Sequence, residues 1–200
     1  MNRFDKLASQ WDLNPNRVES AIKTTHKIKA LLDIKDKDIL DYGSGTGLIS
    51  FNLFEDAHSI LAMDNSKGML DEMQRKIQEA DITNIKTKLH DGNIDAFPKE
   101  RFDLIITAMT LHHIKNPPLF IKNITKALKV SGYLAISDLE LEDGSFHGGD
   151  DDGVEHFGFD KQVINRWFKE AGLEIVYLET NETIVKHKNF KVFLAIGKLL

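Results

Sequence analysis

The stretch Ile39–Ser50 constrains the fold of this chain more than any other. An apolar pair runs into Asp41, three glycines follow at alternate positions, and a new apolar pattern begins at Leu48. This order predicts a buried strand, a turn in which the backbone approaches a ligand closely, and a helix over Leu48–Phe54. The N–H groups of such a turn favour the polar or anionic end of a ligand.

Two classes of nucleotide-cofactor enzyme share this arrangement of strand, glycine loop and helix. The dinucleotide fingerprint Gly-x-Gly-x-x-Gly requires a glycine at position 48, where this chain has Leu48. The pattern present, Asp-x-Gly-x-Gly-x-Gly, resembles motif I of the class I S-adenosylmethionine-dependent methyltransferases. A purely structural glycine turn remains open at this point. The resemblance implies that the cofactor is bound by the residues of this motif: Asp41, Gly43, Ser44, Gly45, Thr46 and Gly47.

The composition is that of a globular protein, because 42% of the residues are hydrophobic and 28% are charged. A length of 200 residues suits one α/β domain, so we expect a single domain over residues 1–200. No apolar run approaches about 18 residues and the N-terminus lacks a secretory leader, which predicts a cytoplasmic protein that does not bind membranes.

Cysteine is absent, and the formal net charge is −5. The first fact excludes thiolate metal sites and cysteine nucleophiles. The second argues against nucleic acid as a partner, because nucleic-acid binding needs a concentrated basic face. We therefore expect a small-molecule acceptor, and either a monomer or a homodimer.

The second predicted strand, His58–Met63, ends at Asp64 and Asn65. A carboxylate at this strand end can accept hydrogen bonds from both hydroxyls of a ribose. Ser66 is better placed than Asp64 to cap the next helix, whose first turn carries Met69. We therefore predict that Asp64, Asn65 and Met69 contact the cofactor.

The third predicted strand, Ile85–Leu89, leads to Asp91, Gly92 and Asn93. An Asp-Gly pair at a strand end usually forms a plain turn. The methyltransferase resemblance implies a further role here, in which the carboxylate accepts from the adenine amine and the adjacent backbone reads the ring edge.

The next elements also resemble motifs of the same family, namely motif IV and the segment after motif V. In chain order they are a strand over Phe102–Met109, the pair His112-His113, a helix that starts after Asn116 and stops at Ser131-Gly132, and a strand over Tyr133–Asp138. The resemblance implies that Thr107, on the fourth strand, lies against the cofactor.

The C-terminal part reads as a helix capped by Asp160, followed by strands over Leu173–Leu178 and Phe190–Ile196 with the polar segment Glu179–Asn189 between them. Strands joined without a helix must be antiparallel. Class I methyltransferases end in such a pair, whereas dinucleotide folds lack it. The predicted fold is α/β: a Rossmann-like, doubly wound, mostly parallel seven-stranded sheet with a C-terminal antiparallel strand pair and helices on both faces.

The N-terminal segment precedes an amphipathic helix that starts at Asn14-Pro15 and runs to about Leu32. Two aromatic residues in this polar segment, one of them Trp11, could form a satellite core contact. In the methyltransferases that the chain resembles, such a segment folds over the cofactor as a lid. We therefore expect residues 1–33 to form a lid and a helix, with Trp11 over the cofactor.

Residues 139–160 are acidic and glycine-rich, and they include His147 and His156. A long loop at this place is expected to be functional or mobile. Asp138 and the two histidines could converge on a metal ion, but the spacing of a calcium loop is absent and we predict no metal. A solvated acidic surface is the plainer alternative. The function we favour for this segment is an acceptor-side loop.

S-adenosylmethionine carries a sulfonium that already activates its methyl group, so the protein must orient the acceptor and exclude water. A base is needed only if the acceptor is protonated. The candidate catalytic residues are Asp138, His147, His156 and His113, the last favoured over His112. We predict in-line methyl transfer from S-adenosylmethionine to an O, N, S or C atom of a small molecule, with S-adenosylhomocysteine as the product.

Two other functions remain open. A non-catalytic S-adenosylmethionine-binding module or sensor would keep the glycine loop, Asp64 and Asp91 but would need no base. A NAD-dependent oxidoreductase would use a similar scaffold, and Leu48 together with the terminal strand pair counts against it.

Overall fold

A computed structural model of the chain describes residues 3–90, 97–149 and 153–200. Its seven strands form one mixed sheet, mostly parallel with an antiparallel C-terminal pair, and this confirms the predicted α/β class. The chain divides into two compact units, Met1–Asn93 and Ile94–Leu200. The expectation of a single domain stays a prediction.

The first unit carries its strands in the order β3-β2-β1, all parallel. Its elements are α1 (Arg3–Leu7), a 3-10 turn (Ala8–Leu13), α2 (Pro15–Leu31), β1 (Asp38–Tyr42), a 3-10 turn (Ser50–Asn52), β2 (Ser59–Asp64), α3 (Lys67–Glu79) and β3 (Ile85–Leu89). The predicted cap of α2 is present, because the Asn14 side chain accepts from the backbone N–H of Asn16 at 3.0 Å. Pro15 then occupies the first helical position, where its missing N–H costs nothing.

The second unit carries its strands in the order β4-β5-β7-β6, with β7 antiparallel to both neighbours. Its elements are β4 (Phe102–Ala108), a 3-10 turn (Leu111–His113), α4 (Pro117–Ile124), a 3-10 turn (Thr125–Ala127), β5 (Leu128–Leu139), α5 (Lys161–Glu170), β6 (Leu173–Val185) and β7 (Asn189–Leu199). Asp160 caps α5 as predicted, accepting from the N–H of Gln162. The apolar residues of β4, β5 and β7 supply most of this unit's core.

The helix predicted over Leu48–Phe54 is wrong. The segment forms separate turns around the short 3-10 stretch Ser50–Asn52. Single helical bonds do occur, such as the one from the N–H of Phe51 to the carbonyl of Gly47, but they do not run on into a helix. The side chain of Ser50 is instead committed to Asp41, to which its hydroxyl donates at 2.6 Å.

Two predicted boundaries in the second unit are also wrong. Ser131-Gly132 does not end a helix: both residues lie within β5, where Ser131 has φ of 63°. The pairing of β5 with β4 is irregular there, so the left-handed residue serves a bulge. Likewise, most of the polar segment Glu179–Asn189 is strand, because β6 is an edge strand and can expose polar side chains.

The loop after β5 closes on itself at its two ends. The N–H of Phe159 donates to the carbonyl of Leu139 at 2.9 Å, and the N–H of Glu142 donates to the carbonyl of Phe157 at 3.0 Å. Gly158 has φ of 80°, and a Cβ there would overlap the carbonyl of Glu140. The sequence of the loop therefore includes one position at which the fold requires glycine.

None of the helices within residues 3–90, 97–149 and 153–200 combines the length and the apolar character that crossing a bilayer requires.

We expect Gly158→Ala to lower the free energy of unfolding by about 2–4 kcal/mol, since it combines left-handed strain with a backbone clash. Gly149→Ala is the matched control, because Gly149 has φ of 83° and no atom of the described residues lies within 4 Å of its Cβ position. That change should cost only about 1 kcal/mol. Urea denaturation measures both, and equal losses would contradict the close approach at Gly158.

Candidate active site

The glycine loop after β1 has the backbone that its sequence predicts. Gly43, Gly45 and Gly47 have φ of 72°, 54° and 93°, in the region that residues with a Cβ rarely adopt. A Cβ on Gly47 would also lie 2.7 Å from Cε2 of Phe51. Among the described residues, a Cβ on Gly45 would meet only the indole nitrogen of Trp11, at 3.9 Å. The loop therefore keeps its backbone open on the side of Trp11.

Asp64, at the end of β2, joins the glycine loop to α3. Its Oδ2 accepts from the N–H of Gly45 and its Oδ1 from the N–H of Ser66, both at 2.8 Å. Burial raises the pKa of Asp64, and these two hydrogen bonds oppose that shift. Each carboxylate oxygen has two acceptor positions, so Asp64 can still accept from the hydroxyls of a ribose.

Asp41 is 1% exposed and accepts the hydroxyl proton of Ser50 at 2.6 Å. Burial raises the pKa of Asp41 to about 7; the hydrogen bond from Ser50 opposes this shift and the charge of Asp64 adds to it. The carboxyl group therefore links the end of β1 to the 3-10 turn that follows the glycine loop. A direct contact between Asp41 and the cofactor stays a prediction.

Other predicted cofactor residues of the first unit differ in their surroundings. Ser44 Oγ is buried and has no hydrogen-bond partner among the described residues. The hydroxyl of Thr46 donates to Asp12 at 2.5 Å. Asn65 is exposed, and Met69 is buried in the first turn of α3. Their contacts with a cofactor stay predictions.

The N-terminal segment is tied down by two carboxylates. Asp12 accepts from Thr46 on the glycine loop and forms an ion pair with Lys76 of α3, which also donates to the carbonyl of Thr46 at 3.1 Å. Asp5 accepts from the hydroxyl of Ser66 at 2.7 Å and from the N–H of Gly68 at 2.9 Å. The segment therefore packs on the glycine loop and on the N-terminus of α3, as a lid would.

Trp11 lies on this segment with its ring held from two sides. The guanidinium of Arg17 stacks 3.5 Å from the ring centroid, and Phe4 makes an edge contact at 5.8 Å. The indole nitrogen is near Gly45, so Trp11 lies beside the glycine loop. Its place over the cofactor stays a prediction.

The predicted adenine-binding residues Asp91, Gly92 and Asn93 lie outside the described residues. Thr107, in the second unit, has a buried hydroxyl with no hydrogen-bond partner among the described residues. A buried hydroxyl without a partner is costly, which suits a group that meets a ligand.

The second unit contains a buried pair, His112 and Asp138. Nδ1 of His112 lies 2.7 Å from Oδ1 of Asp138, and the backbone N–H groups of His112 and Leu139 also donate to this carboxylate, at 3.3 and 2.7 Å. Burial alone would raise the pKa of Asp138, but His112 and these hydrogen bonds lower it below its ordinary value. Asp138 is therefore an ionised acceptor, and Nδ1 of His112 is the donor.

Two more imidazoles complete a histidine cluster, defined as His112, His113 and His147. Their ring centroids are separated by 4.1 Å for His112 and His113, 5.2 Å for His112 and His147, and 5.9 Å for His113 and His147. Just before the cluster, Met109 has φ of 52°, and non-glycine residues in this region often mark functional sites.

The last part of the loop after β5, residues 153–159, is hydrogen-bonded to the 3-10 turn Leu111–His113 that carries two of these histidines. We call this part the far branch of the loop. The N–H groups of Glu155 and His156 donate to the carbonyl of His112, at 3.0 and 3.1 Å. Nε2 of His156 lies 3.0 Å from the carbonyl oxygen of Ile114, and Nδ1 of His113 lies 2.6 Å from that of Gly153. These contacts bring predicted catalytic residues together, but they also engage His113 and His156 with the backbone.

Sequence reasoning ranked His113 above His112 and missed Asp5, Asp12 and Lys76. The pairing register of β4 and β5 sets Ala108 beside Ser137, which brings the residues after both strands together. This strand-end proximity was the available signal for a pair between Asp138 and one of the two histidines. Nothing local indicates which of the two turns inward, or that Lys76 reaches Asp12.

A family model described as a methyltransferase domain matches residues 33–172. The chain belongs to this methyltransferase family. The match confirms the predicted class of S-adenosylmethionine-dependent methyltransferases, and solved neighbours confirm its fold.

Similar proteins carry related names. A protein of Schizosaccharomyces pombe named only as an uncharacterized methyltransferase is 34% identical over 149 residues, 68% of this chain and 52% of that protein. A ubiquinone biosynthesis O-methyltransferase of Rickettsia bellii is 28% identical over 152 residues, 70% of this chain and 61% of that protein. The chain thus spans between half and two thirds of these relatives. A SAM-dependent methyltransferase structure from Aquifex aeolicus has a TM-score of 0.74 at 19% identity, covering 99% of this chain and 97% of that one.

The residues of the first unit fit S-adenosylmethionine. The glycine loop offers backbone N–H groups, and Asp64 offers acceptors for a ribose. The buried hydroxyl of Ser44, which has no hydrogen-bond partner among the described residues, suits a contact with a ligand. For a metal ion, no group of three or more histidine or acidic side chains in the described parts of the chain has a suitable arrangement.

We expect Asp64→Ala to weaken binding of S-adenosylhomocysteine by about 1–3 kcal/mol, because it removes the acceptors for the ribose and the brace on Gly45. Titration calorimetry measures the affinity. Asp71→Ala, at an exposed position of α3, is the control and should bind as the wild type does. Equal affinities in the two variants would restrict Asp64 to its structural hydrogen bonds with Gly45 and Ser66.

A second expectation concerns pH and stability. A carboxyl group whose pKa rises on folding stabilises the protein at low pH, and that stabilisation is lost as the pH rises through the folded-state pKa. Because the pKa of Asp41 is about 7, its contribution to the free energy of unfolding should fall by about 2–3 kcal/mol from about pH 5 to about pH 8.

The variant Asp41→Asn tests this. An amide does not titrate, so the cofactor-free variant should lack this part of the pH dependence while keeping an acceptor for Ser50. Urea denaturation across the same pH range gives the comparison. Identical pH profiles for variant and wild type would show that Asp41 is ionised throughout.

Proposed function

We propose that this protein transfers the methyl group of S-adenosylmethionine to a hydroxyl oxygen of a small molecule, with His112 as the general base. The observation that carries the proposal is the buried hydrogen bond between His112 and Asp138, 2.7 Å long. The match to the methyltransferase family across residues 33–172 includes parts of both units, which supports the prediction that the chain works as one domain.

The pair has the chemistry of an oriented base. An ionised Asp138 can only accept, so it fixes the His112 tautomer that carries its proton on Nδ1. Nε2 is then the basic nitrogen, and a proton taken there creates an imidazolium that the adjacent carboxylate stabilises.

S-adenosylmethionine, when bound, supplies a methyl group already activated by its sulfonium. The chain's part is to hold the acceptor, remove its proton and keep water out. His112 is 1% exposed, so its imidazole is shielded from bulk water. His147 and His113 flank it and offer ring nitrogens and faces that can position a hydroxylated, planar acceptor.

A hydroxyl acceptor is the class that makes use of a base. A phenol has a pKa of about 10 and is protonated at neutral pH, so a positioned imidazole accelerates its reaction. The naming of a relative as a ubiquinone biosynthesis O-methyltransferase supports oxygen over nitrogen, sulfur or carbon. The net charge of −5 supports a small molecule over nucleic acid.

The remaining candidates take different roles in this proposal. Thr107, with its buried hydroxyl, is a ligand-binding residue. His156 holds the loop through the carbonyl of Ile114 and acts by anchoring. His113, whose Nδ1 lies 2.6 Å from the carbonyl oxygen of Gly153, helps to hold the loop against the histidine cluster.

His112→Ala should lower kcat about 10²–10⁴-fold, the usual contribution of a general base. The assay follows release of S-adenosylhomocysteine with a panel of phenols, catechols and short hydroxy acids. The variant should bind S-adenosylhomocysteine as the wild type does, because the glycine loop is unchanged. His26→Ala, at an exposed position of α2, is the control.

Unchanged kcat in His112→Ala would remove His112 from the chemistry. Tight binding of S-adenosylhomocysteine without turnover on any acceptor would favour the non-catalytic sensor. Tight binding of NAD with none of S-adenosylhomocysteine would favour the oxidoreductase.

A further inference from the structure

Side chains at the tip of the β6–β7 hairpin contact the first part of the acidic loop, which spans residues 139–160. We call this first part, up to His147, the near branch. The turn closes through the N–H of Lys186 and the carbonyl of Lys188, 3.0 Å apart. From this tip, Nζ of Lys186 donates to the carbonyl of Phe146 at 2.7 Å, and Nε2 of His187 lies 3.1 Å from Oγ of Ser145. Lys188 adds an ion pair with Asp143. Three consecutive side chains thus hold three residues of the loop, one each.

Phe146 is the most firmly held of these three loop residues. Its ring belongs to a small buried cluster with Leu139, Ile184, Phe190 and Val192. The ammonium of Lys186 also lies 3.5 Å from the centroid of that ring, in cation–π contact. One cation therefore engages both the ring and the carbonyl of the same residue, and so fixes its side chain and its backbone together.

The residue after Phe146 is His147, a member of the histidine cluster. The rings of Phe146 and His147 meet edge-on at 5.0 Å, and His147 in turn lies 5.2 Å from His112. Because Lys186 holds the carbonyl that precedes the N–H of His147, it sets where the backbone of His147 begins. The chain of contact runs from Lys186 through Phe146 and His147 to His112.

We propose that Lys186 is a positioning residue that holds His147 in the histidine cluster. The proposal rests on the proposed function only for the role of the histidine cluster, which is to bind and deprotonate the acceptor. Its own content is structural: the cation at the hairpin tip fixes the near branch of the loop. The far branch is fixed separately, through the carbonyls of His112 and Ile114.

Because the two branches of the loop are held by different contacts, a substitution can release one branch and leave the other in place. Loss of the cation should free His147 and leave His156, on the far branch, in place. A general loosening of the loop would free both. The glycine loop belongs to the first unit, so cofactor affinity should not change.

The test is Lys186→Met, which keeps a long apolar side chain and removes the charge. Histidine modification by diethylpyrocarbonate, mapped residue by residue with mass spectrometry, reports how accessible each imidazole is. We expect His147 to react at least about threefold faster than in the wild type, and His156 at its usual rate. The exposed His26 and His58 are internal standards.

Two variants sharpen the comparison. Lys191→Met is the matched control, because Lys191 is an exposed lysine of the same hairpin whose backbone carbonyl accepts from the N–H of Glu140, with no side-chain hydrogen bond to the described part of the loop. It should leave His147 unchanged. Lys186→Arg keeps a cation and a donor and should restore at least half of the protection. With an acceptor that is turned over, Lys186→Met should lower kcat severalfold while the affinity for S-adenosylhomocysteine is unchanged.

A His147 rate in Lys186→Met within about 1.5-fold of that in Lys191→Met would overturn the proposal. Equal acceleration of His147 and His156 would overturn it too, since it would indicate general loosening. The labelling needs no acceptor and no turnover. Failure of His112→Ala to affect kcat would therefore remove the proposed base and leave the labelling result standing.

Discussion

A carboxylate that ends a buried strand must be given hydrogen-bond donors, and this constraint shapes the polar parts of both units. Unpaired, such a charge would cost several kcal/mol. Asp64 at the end of β2 draws in the N–H groups of Gly45 and Ser66. Asp138 near the end of β5 draws in two backbone N–H groups and the ring of His112. The same requirement for hydrogen-bond donors thus shapes both the glycine loop and the 3-10 turn that carries His112.

How much of the fold could be predicted depended on how local its causes are. The strand Ile85–Leu89 and the cap at Asn14 follow from short-range pattern and side-chain chemistry, and both are present. The segment Leu48–Phe54 has helical sequence character, but a hydrogen bond from Ser50 to Asp41 competes with the helix. Ser131 shows the reverse problem, since a left-handed residue ends a helix or makes a bulge according to which strand lies beside it.

The same distinction applies to the site. The glycine loop could be recognised because its φ angles require glycine at particular positions, and the sequence displays them directly. The choice between His112 and His113 could not be made, since it depends on which ring reaches Asp138, 26 residues away. Lys76 and Asp12 are 64 residues apart, and neither stands in a motif. Contacts of this kind arise from the tertiary fold alone.

On the prediction that the N-terminal segment is a lid, the contacts made by Asp5 and Asp12 have a thermodynamic consequence. Both carboxylates hold the N-terminal segment on the glycine loop and the start of α3, through Thr46, Ser66 and Gly68. A ligand that needs the lid closed is favoured by these bonds, and by linkage it holds the lid closed to the same degree in return. A ligand that must displace the lid is penalised by the free energy of those contacts. If the segment is the predicted lid, the order of residues 3–13 and the occupancy of the glycine loop therefore form one coupled equilibrium.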